Sequence, residues 1–339
     1  MRGLPLVALI LAGCATTSVP QTATAPLVAA TAETDPVDTA ADAADDPAIW
    51  RNPADPAKSL VIGTDKKAGI HVYSLAGKRL SFTPADRLNN VDLRTVGTRV
   101  IAAASDRADV DAAHVSLFTL DTAAARLAPL GRFPVGPGEA YGMCLWTRAR
   151  DHALFGFVVL KDGRIDQVAI DVSGTVPKVT TVRSMKLASQ AEGCVVDDRT
   201  GLLYVAEEDV GLWRFDADPA APATATPIAQ VDGKTLVADA EGLALAPSGR
   251  RGGYLVVSSQ GDNAYTLYRL PGVTYAGRFR IGGGAIDGTS DTDGIDLMLG
   301  DFGPAYPGGL FVAQDGDNAP DTQNFKLVSW TAVRRALRR

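Results

Sequence analysis

Ala191-Glu192-Gly193-Cys194-Val195-Val196 places an acidic residue and a glycine directly before an apolar run, and the same step recurs along the chain. It returns as Ala240-Glu241-Gly242-Leu243-Ala244-Leu245, Thr292-Asp293-Gly294-Ile295-Asp296-Leu297 and Ala140-Tyr141-Gly142-Met143-Cys144-Leu145. Earlier versions are Asp45-Asp46-Pro47-Ala48-Ile49-Trp50 and Asn89-Asn90-Val91-Asp92-Leu93-Arg94. The second residues of these steps stand at 46, 90, 141, 192, 241 and 293, so the spacings are 44, 51, 51, 49 and 52. Between the steps lie short β-rich runs bounded by Gly, Asp and Asn, such as Leu60–Thr64, Leu202–Ala206, Tyr254–Ser258 and Leu310–Ala313. No helix-period segment of convincing length interrupts residues 45–330. Six units of about fifty residues, each with three or four strands, predict an all-β fold, a six-bladed β-propeller. A pair of β-sandwiches is the structural alternative. Stacked blades bury their faces against each other, so one domain replaces the two that a length of 339 residues suggests.

The composition, with 46% apolar and 21% charged residues, is that of a folding chain. A net charge of −6 argues against nucleic acid as a partner, because binding a phosphate backbone needs a basic face. Residues 1–14 set one arginine before a short apolar run ending in Leu11-Ala12-Gly13-Cys14, too short to span a bilayer. This looks like a bacterial lipoprotein signal with Cys14 lipidated; a plain secretory signal is the alternative, and the protein is exported either way. Ala15 points to the outer membrane, facing periplasm or cell surface, with the lipid as the sole membrane contact. Residues 15–41, rich in Ala, Thr, Pro and Asp without apolar periodicity, are expected to form a disordered tether, with the folded domain at 42–339. The domain is expected to be a monomer. Cys144 and Cys194 could pair, but their apolar flanks favour buried thiols.

The repeat also locates a face. A second strand runs back along the first, so the polar starts of first strands meet the polar ends of second strands near the axis. Asp45, Asp46, Glu192, Glu208, Glu241, Asp287 and Asp293 are thereby crowded. Glutamate is scarce here, since 33 of the 39 acidic residues are Asp, yet five of the six glutamates fall in or beside these steps. Two like charges ~4 Å apart cost on the order of 4 kcal/mol at an effective dielectric near ~20, so protons or cations must be shared among them. Oxygen donors without His or Cys favour a hard cation, and flexible loops rich in ligands favour Ca²⁺ over Mg²⁺. Asp287–Gly294 and Asp315-Gly316-Asp317-Asn318 are such loops, without the spacing of an EF-hand. Lys66, Lys67, Arg107 and Lys161 follow second strands at the same end, which suggests a polyanion bound partly through metal ions.

At this point the chain resembles the β-propeller phytase family, from about residue 42 to 332. The resemblance rests on Asp45–Trp50, Gly63-Thr64-Asp65-Lys66-Lys67-Ala68-Gly69, Leu88–Arg94, Ala206-Glu207-Glu208-Asp209, Ser258-Ser259-Gln260-Gly261, Asp287–Asp293 and Val312–Gly316. It implies calcium-dependent hydrolysis of myo-inositol hexakisphosphate (phytate) by direct attack of a metal-bridged water, as in a 3-phytase. It implies active-site calcium ligands at Asp45, Glu192, Glu208, Asp239 and Glu241, and structural calcium at Asp46, Asp287, Asp317 and Asn318. Gln260, Asp293 and Asp315 join the metal ligands as members of the same oxygen-rich loops. Lys66, Arg107, Tyr141 and Lys161 would hold the phosphate being cleaved, Lys67 would help at a neighbouring phosphate, and Glu208 would protonate the leaving oxygen. Asp317 stands where the family often has a longer Glu, and the loop after Arg94 is short.

Rival chemistries are poorly served. An Arg-His-Gly signature is absent, and His71, His114 and His152 are isolated. Cys144 to Arg150 fits a bare Cys-x5-Arg spacing but lacks the glycines that would turn amides toward a phosphate. A propeller lactonase, with one axial calcium and an apolar pocket, leaves the four cations unexplained. A surface-anchored binding propeller is the non-enzymatic alternative.

Overall fold

The computed structural model describes residues 23–338. The signal at 1–14, the lipidation of Cys14 and the start of the expected tether lie outside them. Six small sheets follow one another around an axis, each ordered from an innermost strand outward. The innermost strands are Ala44–Trp50, Leu88–Val96, Ala140–Thr147, Ala191–Asp197, Ala240–Ser248 and Ile295–Met298, which begin at or within two residues of the predicted steps. The second strands are Leu60–Asp65, Arg99–Asp106, Leu154–Leu160, Leu202–Glu207, Gly252–Ser259 and Leu310–Asp315. The six-bladed propeller is therefore the observed fold. Its core is divided among the blade interfaces. Val61, Ile49, Leu310 and Phe325 fill the junction of blades six and one, and Ile101, Leu117, Leu145 and Val158 that of blades two and three.

Each of the first five innermost strands carries a bulge at its polar step. Pairing skips Asp45-Asp46, Asn89-Asn90, Tyr141, Glu192-Gly193 and Glu241-Gly242. A bulge leaves its extra residue out of the ladder and re-aims the side chain, so the repeated step is what turns polar groups toward the axis. Glycine after the acid has a steric reason. A Cβ on Gly242 would lie 2.6 Å from the Asp293 carbonyl oxygen of the next blade, and one on Gly294 would lie 2.7 Å from that of Asp45.

The expected tether is corrected for residues 23–41. Ala32–Glu33 pairs antiparallel with Asn324–Ser329 as the fourth strand of the last blade, and Leu27–Val28 adds a parallel fifth strand to the blade before it. The last blade supplies three strands of its own and would otherwise present unpaired N–H and C=O groups at its rim. Val28 and Val37 are buried there. Two-residue strands carry no periodicity, which is why composition pointed to a tether. A helix, Trp330–Ala336, closes the described chain. None of its helices is long and apolar enough to cross a membrane.

Buried thiols are corrected as well. Cys144 and Cys194 form a disulfide between the innermost strands of blades three and four, with Cα atoms 5.7 Å apart. Closing a loop of 50 residues removes enough freedom from the unfolded chain to contribute on the order of 4 kcal/mol. The Cys-x5-Arg spacing therefore holds no thiolate, and Arg150 pairs with Asp218 at 2.7 Å.

His71 lies fully buried between Tyr73 and Phe82, ring centroids 5.6 and 4.6 Å away, with neither ring nitrogen hydrogen-bonded. Burial, aided by nearby Arg79, lowers its pKa from 6.5 to about 4. The folded state thus holds the neutral ring, while the unfolded chain takes up a proton near pH ~6.5. Stability is lost as pH falls from about 6.5 to about 4, by on the order of 3 kcal/mol. Urea unfolding of wild type and His71→Phe should show the difference: the variant gains that amount relative to wild type between pH 7 and pH 4. An equal offset at both pH values would refute the assignment.

Candidate active site

The positions that follow the second strands are equivalent around the ring, because each binds back to the same place in its blade. The backbone N–H groups of Lys66, Arg107, Lys161, Glu208 and Gln260 donate to the carbonyls of Ala43, Arg87, Glu139, Gln190 and Asp239, at 2.7 to 3.1 Å. One structural position thus carries Lys, Arg, Lys, Glu and Gln in five consecutive blades. Just inside it, the five bulged steps present Asp45, Asn89, Tyr141, Glu192 and Glu241, and the sixth step presents Asp293. Cations therefore stand on blades one to three, and most carboxylates on blades four to six and at Asp45.

Within the acidic half, carboxylate oxygens of Glu192, Glu208 and Glu241 lie within 4.8 Å of one another, and all three residues are buried. Burial, with nearby carboxylates adding to it, holds Glu192 and Glu241 well above the usual carboxylate range. Glu208 is raised by burial, although Gln190 opposes this by donating to both its oxygens at 2.9 and 2.8 Å. Asp239 is raised by burial and by Asp209. Glu241 Oε2 and Asp45 Oδ1 are buried without a hydrogen-bond partner. Clustered anionic oxygens, two of them unpartnered and with no nitrogen or sulfur donor, fit a hard divalent cation.

Lys66 joins the two halves. Its ammonium lies 2.8 Å from Asp42, 3.1 Å from Asp45 and 3.1 Å from Asp293, and these charges outweigh its burial and raise its pKa. Asp293 is held on its other oxygen by Gln260 Nε2 at 2.8 Å. Arg107 and Lys161 both approach the Tyr141 ring, at 5.1 and 5.3 Å from its centroid, so the phenol spaces the two cations. Arg107 is further fixed by Glu139 and by Asn89 Oδ1 at 2.8 Å. A cavity of about 620 Å³ opens over Lys66, Tyr141, Glu208, Glu241 and Asp293. Asp239, Gln260, Asp317 and Asn318 also line it. A second, of about 420 Å³, is lined by Asp42, Lys66, Lys67, Arg87 and Arg107.

Three residues read as ligands for structural ions are occupied otherwise. Lys326 is fully buried, and its ammonium meets Asp287 Oδ1, Glu33 Oε2 at 2.6 Å, Asn318 Oδ1 at 3.0 Å and Asp315 Oδ2 at 3.1 Å. An internal ammonium thus supplies the charge there. Asp46 accepts the Val91 N–H at 3.0 Å and ties blade one to blade two. Sequence reasoning missed Lys326, Glu33, Asn89, Glu139 and Gln190. No sequence signal marked Lys326: set between Phe325 and Leu327 in the strand Asn324–Ser329, it reads as the solvent-facing residue of an alternating pattern.

A family model described as Phytase matches residues 3–339. A curated 3-phytase of Bacillus subtilis (strain 168) is 42% identical over 329 residues, covering 91% of this chain and 85% of its own length. Two solved structures also align. The mitotic checkpoint complex gives 13% identity and a TM-score of 0.49, covering 98% of this chain and 86% of the other. The Cps50 (Swd1) β-propeller domain of Myceliophteria thermophila gives 12% and 0.49, covering 83% and 82%.

Replacing Lys326 by Met removes one cation from among three carboxylates. Breaking a buried pair in this way costs roughly 3–5 kcal/mol, so the melting temperature of Lys326→Met should fall clearly below that of wild type. A variant as stable as wild type would show that the ammonium does not balance this cluster.

Proposed function

The chain belongs to the phytase family, and on that premise we propose that its hydrolysis of phytate depends on calcium held at the Glu192, Glu208 and Glu241 cluster. The observation that carries this is the segregation of charge across two cavities that share Lys66, with Glu208, Glu241 and Asp293 lining the larger and Arg107 the smaller. A phosphate-rich substrate at roughly −1.5 to −2 per phosphate is repelled by carboxylates and attracted by the three cations opposite them. Calcium, when bound, would neutralise the carboxylates, share phosphate oxygens and lower the pKa of a water. Asp239 and Asp293 line the larger cavity as further oxygen donors, and Asp45 stands beside them against Lys66.

The chain's own residues supply the rest. Lys66, Arg107 and Lys161 hold the phosphate being cleaved and stabilise charge developing on its oxygens. Tyr141 sets the spacing of Arg107 and Lys161 and hydrogen-bonds Glu192. Lys67, exposed beside the second cavity, takes a neighbouring phosphate. We assign to Glu208, which lines the larger cavity, protonation of the leaving inositol oxygen. The cavity over the acidic cluster is lined mostly by polar and charged side chains, which does not favour a lactone substrate.

The test is phosphate release from phytate at neutral pH with added calcium and again with chelator. Release with calcium that stops on chelation is expected; the absence of calcium-dependent release would defeat the proposal. Lys66→Ala should lose at least about 100-fold in kcat while calcium still raises its melting temperature, since a ligand that binds the native state stabilises it. Full activity of that variant would remove Lys66 from the phosphate clamp.

The proposal extends to location: an exported, outer-membrane lipoprotein anchored through Cys14. In the native host Cys14→Ser should then move the protein from the membrane fraction to the soluble fraction, and an unchanged distribution would count against the anchor.

A further inference from the structure

Asn89 sits in the bulged step of blade two and is fully buried. Its amide works in two directions. Oδ1 accepts from Arg107 Nη1 at 2.8 Å, and Nδ2 donates to Glu192 Oε1 at 2.9 Å. Arg107 belongs to the same blade, whereas Glu192 belongs to blade four, so the amide links the cationic half of the ring to the carboxylate half.

We propose that Asn89 is a positioning residue that fixes the separation between the phosphate-gripping Arg107 and the cation-holding Glu192. Its chemistry is suited to both partners. An uncharged amide offers an acceptor to a guanidinium and a donor to a carboxylate at once. It holds Glu192 through Oε1, and it adds no charge to a crowded site. Groups that orient a metal's ligands in this way typically contribute about 10–100-fold in affinity or activity. An aspartate here would repel Glu192, and an apolar residue would remove one hydrogen bond each from Glu192 and Arg107.

The inference rests on the phosphatase reading of the site, and its test separates the two. Asn89→Ala, Arg107→Ala and the double variant are compared with wild type; Asn89→Ser, smaller but polar, stands in where Asn89→Ala does not fold. Two quantities are measured: the calcium concentration giving half of the maximal rise in melting temperature, and kcat/KM for phytate. In the Asn89 variant the calcium midpoint should rise at least about 5-fold, because Glu192 loses the hydrogen bond that sets its orientation toward Arg107. Measured at saturating calcium, its kcat/KM should fall about 10–100-fold, but less than about 3-fold when Arg107 is already absent, since residues acting through one another are non-additive. An unchanged calcium midpoint, or the same loss with and without Arg107, overturns the assignment. If wild type releases no phosphate from phytate with calcium, the phosphatase reading falls, and the calcium midpoint alone decides for or against Asn89.

Discussion

Gly242 donates its N–H to the carbonyl of Asp293 at 2.8 Å, and Gly294 donates to that of Asp45 at 3.1 Å. These bonds join the innermost strands of different blades at the polar step itself. Backbone held this close leaves no room for a Cβ, and the residue beside each glycine is drawn in with it. Carboxylates that would repel one another on a free surface are thereby held together by amide hydrogen bonds and by the apolar interfaces behind them. The fold stabilises an arrangement that its charges oppose, and the resulting tension is what a bound cation or an internal ammonium relieves. Lys66 and Lys326 are the chain's own two answers, at the cavity and behind its wall.

Much of this architecture was legible because it repeats. A spacing near fifty residues, the polar step and the glycine after it all follow from one blade being copied around an axis, so each copy supports the reading of the others. The ring position shared by Lys66, Arg107, Lys161, Glu208 and Gln260 was visible in the same way, as the residue after each second strand. Features that break the repeat were not legible. Ala32–Glu33 is a strand because the last blade lacks a partner, a fact about residues three hundred positions further on. Gln190 and Glu139 precede the steps, in positions that vary in type from blade to blade. The pairing of Cys144 with Cys194 needs two neighbouring innermost strands in register, which the flanking apolar residues do not reveal.

The site also shows how one backbone template carries opposite chemistry. Lys161 and Glu208 occupy equivalent positions in adjacent blades, held by the same carbonyl contact, and differ in nothing but the side chain projected. A ring built by repetition therefore has no intrinsic polarity; its polarity is written in the identity of a few residues at a fixed place. Tyr141, set between Arg107 and Lys161, and Gln190, set on Glu208, keep these long side chains from relaxing toward the opposite charge.

The strand Ala32–Glu33 meets Asn324–Ser329 across almost the whole chain, with Glu33 and Lys326 separated by 293 positions. Pairings between such distant residues are slow to form, because the intervening loop must be closed before any contact rewards it. The first strand of the ring must wait through the synthesis of every blade for its partner to exist. Asp293 and Asp317 sit in that last blade, so the rim of the cavity is completed at the same moment as the ring. Maturation of the site is thus tied to arrival of the last blade, and a half-made chain is an open arc in which the cations of the first three blades face no opposite wall.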